Sequence, residues 1–190
     1  KFEDIKWHEN TSIIFAPGIP LYHPEPHKIL EIINKYHCEL ICDIELFYQQ
    51  YHQNYSFIGI TGTNGKSTTS ALINFILNNL GLPSEVSRNI GTPCFDLEAL
   101  AKNSAYVLEM SSFQLDLTSK IHFRIASLGN ITADHIDRHG SMAEYIKAKK
   151  KIFNHQNAND YSIIGIDNDN SSKVFESLKS NPDFKSNLIA

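Results

Sequence analysis

Gly59-Ile60-Thr61-Gly62-Thr63-Asn64-Gly65-Lys66-Ser67-Thr68-Thr69 is the stretch whose reading decides the fold. The β-like run Phe57–Thr61 leads into it. A helical pattern over Ser67–Leu80 leaves it, with Ala71, Leu72, Phe75, Ile76 and Leu80 expected to face inward. Strand, glycine-rich turn and helix in that order are the setting of a phosphate-binding loop. Glycines let the chain turn its N–H groups inward, and the helix N-terminus adds positive potential. On this reading Gly62, Thr63, Asn64, Gly65, Lys66, Ser67 and Thr68 bind ATP. Lys66 reaches the terminal phosphates and the Ser67 hydroxyl ligates Mg²⁺. The loop departs from the usual spacing, because Ile60 stands where a glycine is expected and the pattern is Gly62-x-x-Gly65-Lys66. A turn that only caps a helix is the competing reading. It leaves the preceding strand, both glycines and the run of hydroxyls unexplained together.

On either side, short β-like runs alternate with helical ones, which predicts an α/β fold with a mostly parallel sheet. Before the loop, Ser12–Ala16 and Glu39–Asp43 read as strands, Pro26–Tyr36 and Ile44–Tyr51 as helices. The pattern breaks into polar residues at Gln53–Ser56, which places a boundary between residues 1–53 and 54–190. After the loop, Gly81 stands where a helix C-terminal cap belongs. Tyr106–Met110, Ile125–Ile131 and Tyr161–Ile166 read as strands, Ser141–Phe153 and Ser171–Leu178 as helices, with Ser141 a candidate N-cap.

Composition narrows the function classes. Of 190 residues, 42% are hydrophobic and 20% charged, which excludes a wholly disordered chain. A net charge of −4 leaves no basic surplus for wrapping nucleic acid. No apolar run approaches the roughly 18 residues needed to insert in a membrane. Cys38, Cys42 and Cys94 cannot all pair and lack zinc-site spacing, so they read as buried thiols suited to a reducing cytoplasm.

Five ordered motifs carry a resemblance beyond the loop. They are Asp43-Ile-Glu-Leu-Phe47, Asn89-Ile-Gly-Thr-Pro93, Glu109-Met-Ser-Ser-Phe-Gln-Leu115, Asn130-Ile-Thr-Ala-Asp-His-Ile-Asp-Arg138 and Tyr145-Ile-Lys-Ala-Lys149-Lys-Lys-Ile-Phe153. With Thr-Gly-Thr-Asn-Gly-Lys-Ser-Thr they resemble the Mur ligase family, ATP-dependent enzymes that add amino acids to the peptidoglycan precursor. Asp-Ile-Glu-Leu-Phe, Ser-Ser-Phe-Gln-Leu and the Ala16-Pro-Gly-Ile19 turn most resemble the D-glutamate-adding branch, in which serine is usual in place of Ala16.

The resemblance implies a parallel-sheet P-loop ATPase domain preceded by the remainder of a Rossmann-like domain. It implies UDP-N-acetylmuramoyl-L-alanine, D-glutamate and ATP as substrates, about two Mg²⁺ ions, a cytoplasmic monomer, and catalysis through an acyl phosphate. Lys66, His135 and Lys149 become the catalytic candidates. Ser67, Glu109, His135 and Lys149 become the metal ligands. Gly18, Asn89, Ser111 and Gln114 become substrate contacts, with helix capping the plainer role for Ser111. An ammonium has no lone pair to give a metal. The implied role of Lys149 therefore requires carbamylation by CO₂, and the spacing from Tyr145 to Phe153 selects it over Lys147, Lys150 and Lys151.

Alternatives remain open at this level. A folylpolyglutamate synthase tends to carry glycine where Ser67 follows Lys66. A P-loop kinase or switch gives no role to Asn130–Arg138, and a nucleotide-binding fragment would lack catalysis. The chain is expected to be a truncated piece, inactive alone, with one strand and one helix after Lys149, an incomplete sheet and bare apolar faces.

Overall fold

The computed structural model describes residues 4–87, 92–97 and 100–190. In chain order the elements are β1 (Ser12–Ile14), α1 (Ile29–Tyr36), β2 (Glu39–Ile41), α2 (Asp43–Tyr51), β3 (Ser56–Thr61), α3 (Lys66–Asn79), β4 (Ser84–Ser87) and β5 (Ala105–Glu109). Then follow α4 (Ser112–Asp116), β6 (Ile125–Leu128), α5 (Ile136–His139), α6 (Met142–Lys150), β7 (Tyr161–Ile164), α7 (Asp169–Lys179) and β8 (Asn187–Ile189).

β1 and β2 form a small parallel pair. The other six strands form one parallel sheet in the order β4-β5-β3-β6-β7-β8. The expected parallel α/β fold is present. Phe57–Thr61 of β3 are all buried, as a central parallel strand covered on both faces requires. β5 and β6 both follow β3 in the chain but pair with its opposite edges. The connection leaving β3 runs to β4 on one side and that leaving β6 to β7 on the other, so the carboxyl ends of β3 and β6 meet at a topological switch point. In register, Ile60 lies beside Glu109 and Thr61 beside Leu128.

Two sequence expectations need correction. Two strands follow Lys149, not one. The three-residue β8 is too short to show a period of its own. The apolar face of α3 is the other correction. Leu72, Phe75, Ile76 and Leu80 are 55, 65, 45 and 69% exposed, while Ser70 is buried and Ile73 and Leu77 pack on Ile58, Ile60 and Val107. The loop fixes the helix's rotation by turning Lys66 and Ser67 toward the strand ends, and that constraint overrides the apolar stripe. The same side of the sheet is thin further along. Tyr161 and Ile163 are half-exposed, while Ser162 and Ile164 on the opposite face are buried.

α2 packs on the large sheet. Phe47 meets Phe57 and Tyr106 edge-on at 6.2 and 5.0 Å. The fully buried Glu45 carboxylate accepts backbone N–H groups from Ser119, Lys120 and Ile121 at 3.2, 2.9 and 3.2 Å. All three cysteines are free and buried, as expected. Burial pushes the Cys42 and Cys94 thiols up to about 12.

Candidate active site

The site is built where β3 ends. Gly65 takes φ +81° immediately before α3, a left-handed conformation that costs a β-carbon-bearing residue energy but glycine little. The loop is tied down by the segment after β6. Thr63 N–H donates to the Asn130 carbonyl at 2.9 Å, and the Thr132 N–H donates to Thr63 Oγ1 at 3.0 Å. Asn64 N–H donates to Asn130 Oδ1 at 2.9 Å, and Asn130 Nδ2 donates back to the Asn64 carbonyl at 3.0 Å.

Two lysines converge on one loop carbonyl. Lys66 Nζ donates to the Gly62 and Thr63 carbonyls at 3.1 and 3.0 Å, and Lys149 Nζ to the Gly62 carbonyl at 2.8 Å. Lys149 is only 2% exposed. Burial first, then repulsion by Lys66, brings its ammonium down to about 7, against a weaker upward pull from Asp134. The neighbouring lysines lead elsewhere. Lys147 is solvated and pairs with Glu144, Lys150 donates to Ser177, and Lys151 pairs with Asp116 at 2.8 Å. Tyr145 closes the group, its ring 4.7 Å from Lys149 Nζ and its hydroxyl 3.1 Å from Thr63 Oγ1.

Ser67 and Glu109 come together, the serine hydroxyl donating to Glu109 Oε2 at 2.8 Å. Glu109 ends β5 and is buried. A hydroxyl and a carboxylate at a strand mouth suit a hard cation such as Mg²⁺. Among the described residues, no group of three or more His, Cys, Asp or Glu side chains gathers as a metal site. His135 is half-exposed, in left-handed backbone at φ +52°, with its ring 3.4 Å from the Asp134 carboxylate and facing Phe113. Thr68 is exposed on the first turn of α3.

The substrate candidates come from different elements. Ser111 and Gln114 close a capping box on α4. Ser111 Oγ accepts the Gln114 N–H at 3.1 Å, and Gln114 Oε1 accepts the Ser111 N–H at 2.9 Å. Gly18 lies in the turn after β1, its carbonyl accepting from Arg138 at 3.2 Å. Asn89 lies outside the described residues. Sequence reasoning gave no role to Asn130, Thr132 or the Tyr145 hydroxyl. Asn130 falls inside the Ile125–Ile131 run read as a strand, and its place came to light only because β6 ends at Leu128.

Comparison with known proteins gives a consistent picture. The Mur ligase middle domain matches residues 60–185. A Rickettsia prowazekii protein named UDP-N-acetylmuramoylalanine–D-glutamate ligase is 45% identical over 182 residues, covering 96% of this chain and 39% of its own length. A Wolbachia pipientis protein of the same name is 43% identical, covering 91% of this chain and 32% of its own length. The chain thus spans well under half the length of these curated relatives. Among solved structures, MurF from Acinetobacter baumannii matches with a TM-score of 0.60 at 22% identity, over 75% of this chain and 33% of that one. The Thermotoga maritima MurF ligase in complex with ADP matches with a TM-score of 0.59 at 14% identity, over 99% and 48%. E. coli FolC in complex with DHPP and ADP shares the fold at a TM-score of 0.54 and 14% identity, over 78% and 46%.

Proposed function

This chain belongs to the Mur ligase family, whose middle domain it carries over residues 60–185, and from that premise we propose that it serves the ATP-dependent joining of D-glutamate to UDP-N-acetylmuramoyl-L-alanine. The substrates rest on the names of relatives 45 and 43% identical across nearly the whole chain. The observation that carries the chemistry is the convergence of Lys66 and Lys149 on the Gly62 carbonyl, beside the Ser67–Glu109 pair.

In this reading the precursor's carboxylate attacks the γ-phosphorus of ATP, ADP leaves, and an acyl phosphate forms. The D-glutamate amine then adds to the acyl carbon, phosphate departs, and the amine's proton is lost to solvent or a base. The first step brings two anions together, so the protein's task is charge neutralisation and alignment. Loop N–H groups and Lys66 grip the β- and γ-phosphates. Bound Mg²⁺ supplies further neutralisation of phosphate charge. Ser67 and Glu109 fit one such ion as oxygen donors, and His135 with a carbamylated Lys149 would serve a second. Lys149 is suited to that modification because its amine is substantially neutral near pH 7, and only the free amine adds to CO₂. Gly18 and Asn89 are assigned to the precursor, as are Ser111 and Gln114, whose hydrogen bonds here are those of a cap. By sequence, residues 1–53 are assigned to the precursor-binding unit and 54–190 to the ATPase unit, with α2 packed on the sheet of the latter.

The test is phosphate release by the full-length protein with UDP-N-acetylmuramoyl-L-alanine and ATP. Release that needs D-glutamate, and is not supported by L-glutamate or by a dihydropteroate substrate, is the expected result. Release with the pterin substrate instead would replace this reading.

A further inference from the structure

Arg138 bridges two parts of the molecule that the chemistry needs in fixed relation. From α5 its guanidinium donates through Nη1 to the Gly18 carbonyl at 3.2 Å and through Nη2 to the Pro17 carbonyl at 3.4 Å. Its Cζ lies 4.5 Å from the centre of the Phe113 ring. Phe113 in turn meets the rings of His135 and His139 at 5.1 and 5.0 Å, the latter stacked within 4° of parallel. A cavity of about 380 Å³ lies along this junction, lined by Pro17, Ile19, Phe113, Arg138 and His139. The guanidinium thus ties the turn to α5 beside this cavity, and His23 lies close against Gly140 at the C-terminal end of the same helix.

We propose that Arg138 is a positioning residue that sets the 16–19 turn against the His135 segment, and so registers the precursor with the reacting phosphate. The inference rests on the function proposed above. A planar trans peptide points its C=O and the following N–H in opposite directions. With the Pro17 carbonyl held by Arg138, the Gly18 N–H is directed to the other side of the turn, as a donor for an anionic ligand. The Ile19 N–H is already used within the turn, donating to Ala16 at 3.0 Å. Two parallel donors and a flat face that stacks on an aromatic ring are properties of arginine that lysine lacks.

The test uses Arg138→Met and Arg138→Lys in the full-length protein. Both should raise the KM for the UDP-precursor at least tenfold and leave the KM for ATP within twofold. Equal rises in both KM values, no rise in either, or full rescue by lysine would overturn the proposal. Amide hydrogen exchange gives a second readout independent of catalysis. The Ile19 N–H, which donates to the Ala16 carbonyl, should lose protection in both variants, and unchanged exchange there overturns the proposal as well. A wild-type enzyme that releases no D-glutamate-dependent phosphate defeats the ligase reading instead, and the exchange result then decides the role of Arg138 alone.

Discussion

Asn64 and Asn130 hold each other by a reciprocal pair of hydrogen bonds, backbone to side chain in each direction, at 2.9 and 3.0 Å. The pair joins the 62–66 loop to the segment that follows β6, the two residues lying 66 apart in sequence. Loop shape is therefore fixed by a strand end as well as by the glycines. Asn130→Ala removes both bonds, each worth about 0.5–1.5 kcal/mol. ATP–Mg²⁺ affinity measured by titration calorimetry should fall roughly tenfold. Asn130→Asp should do worse, because it sets a carboxylate oxygen against the Asn64 carbonyl.

Lys66→Ala takes a cation from the proposed phosphate site. Nucleotide binding should weaken by about 2–5 kcal/mol, the scale for losing one partner of a desolvated charged contact. Equal ATP–Mg²⁺ titrations for the two forms would remove the phosphate-loop assignment.

Glu109→Gln keeps size and hydrogen bonding to Ser67 but discards the charge. The Mg²⁺ concentration needed for half-maximal activity of the full-length enzyme should rise by tenfold or more, with little change in metal-free nucleotide binding. An unchanged Mg²⁺ titration would make this carboxylate a structural partner of Ser67 only.

Lys149 gives two pH dependences. Its folded value, about 7, lies below the ordinary 10.5. Between these values the unfolded chain binds more protons than the folded one, so this group makes stability rise with pH across that window. Lys149→Met should therefore stabilise most at and below pH 7, the gain shrinking toward pH 10.5, as followed by thermal melts. Carbamate formation should also increase as pH rises through 7 at fixed dissolved CO₂, seen by intact mass and by carbon-13 bicarbonate labelling. An unmodified Lys149 at high bicarbonate would sink the carbamylation idea.

The outer face of α3 should make the 190-residue chain self-associate. Leu72, Phe75, Ile76 and Leu80 expose a contiguous apolar surface at helical spacing. Replacing Leu72, Phe75 and Leu80 by Gln should shift sedimentation toward monomer without lowering the melting temperature. Unchanged self-association in the triple variant would place the sticky surface elsewhere.

What was legible in the sequence was local. Strand, loop and helix at 56–79 follow from adjacent residues. The cap at Ser141 was equally readable, since its hydroxyl accepts the Glu144 N–H at 3.2 Å. Features set by distant contacts were not. β4, with the sequence Ser-Glu-Val-Ser, carries no apolar alternation and is a strand because it pairs with β5. The rotation of α3 could not be read because both of its sides are apolar, and only the loop decides which turns inward.

Glu45 belongs by sequence to the residues before the polar break at 53, yet its carboxylate is held by the 119–121 backbone of the large unit. Separating them would strand a buried charge among unpaired N–H groups, which is strongly unfavourable. α2 must therefore travel with the large sheet. Any swing of the β1–β2 unit has its pivot ahead of Asp43, at Cys42, the single residue between β2 and α2, and the polar stretch at 53–56 is not a hinge. A short, stiff pivot of that kind limits how far the 16–19 turn can open from the 62–66 loop, and makes small rotations the accessible motion.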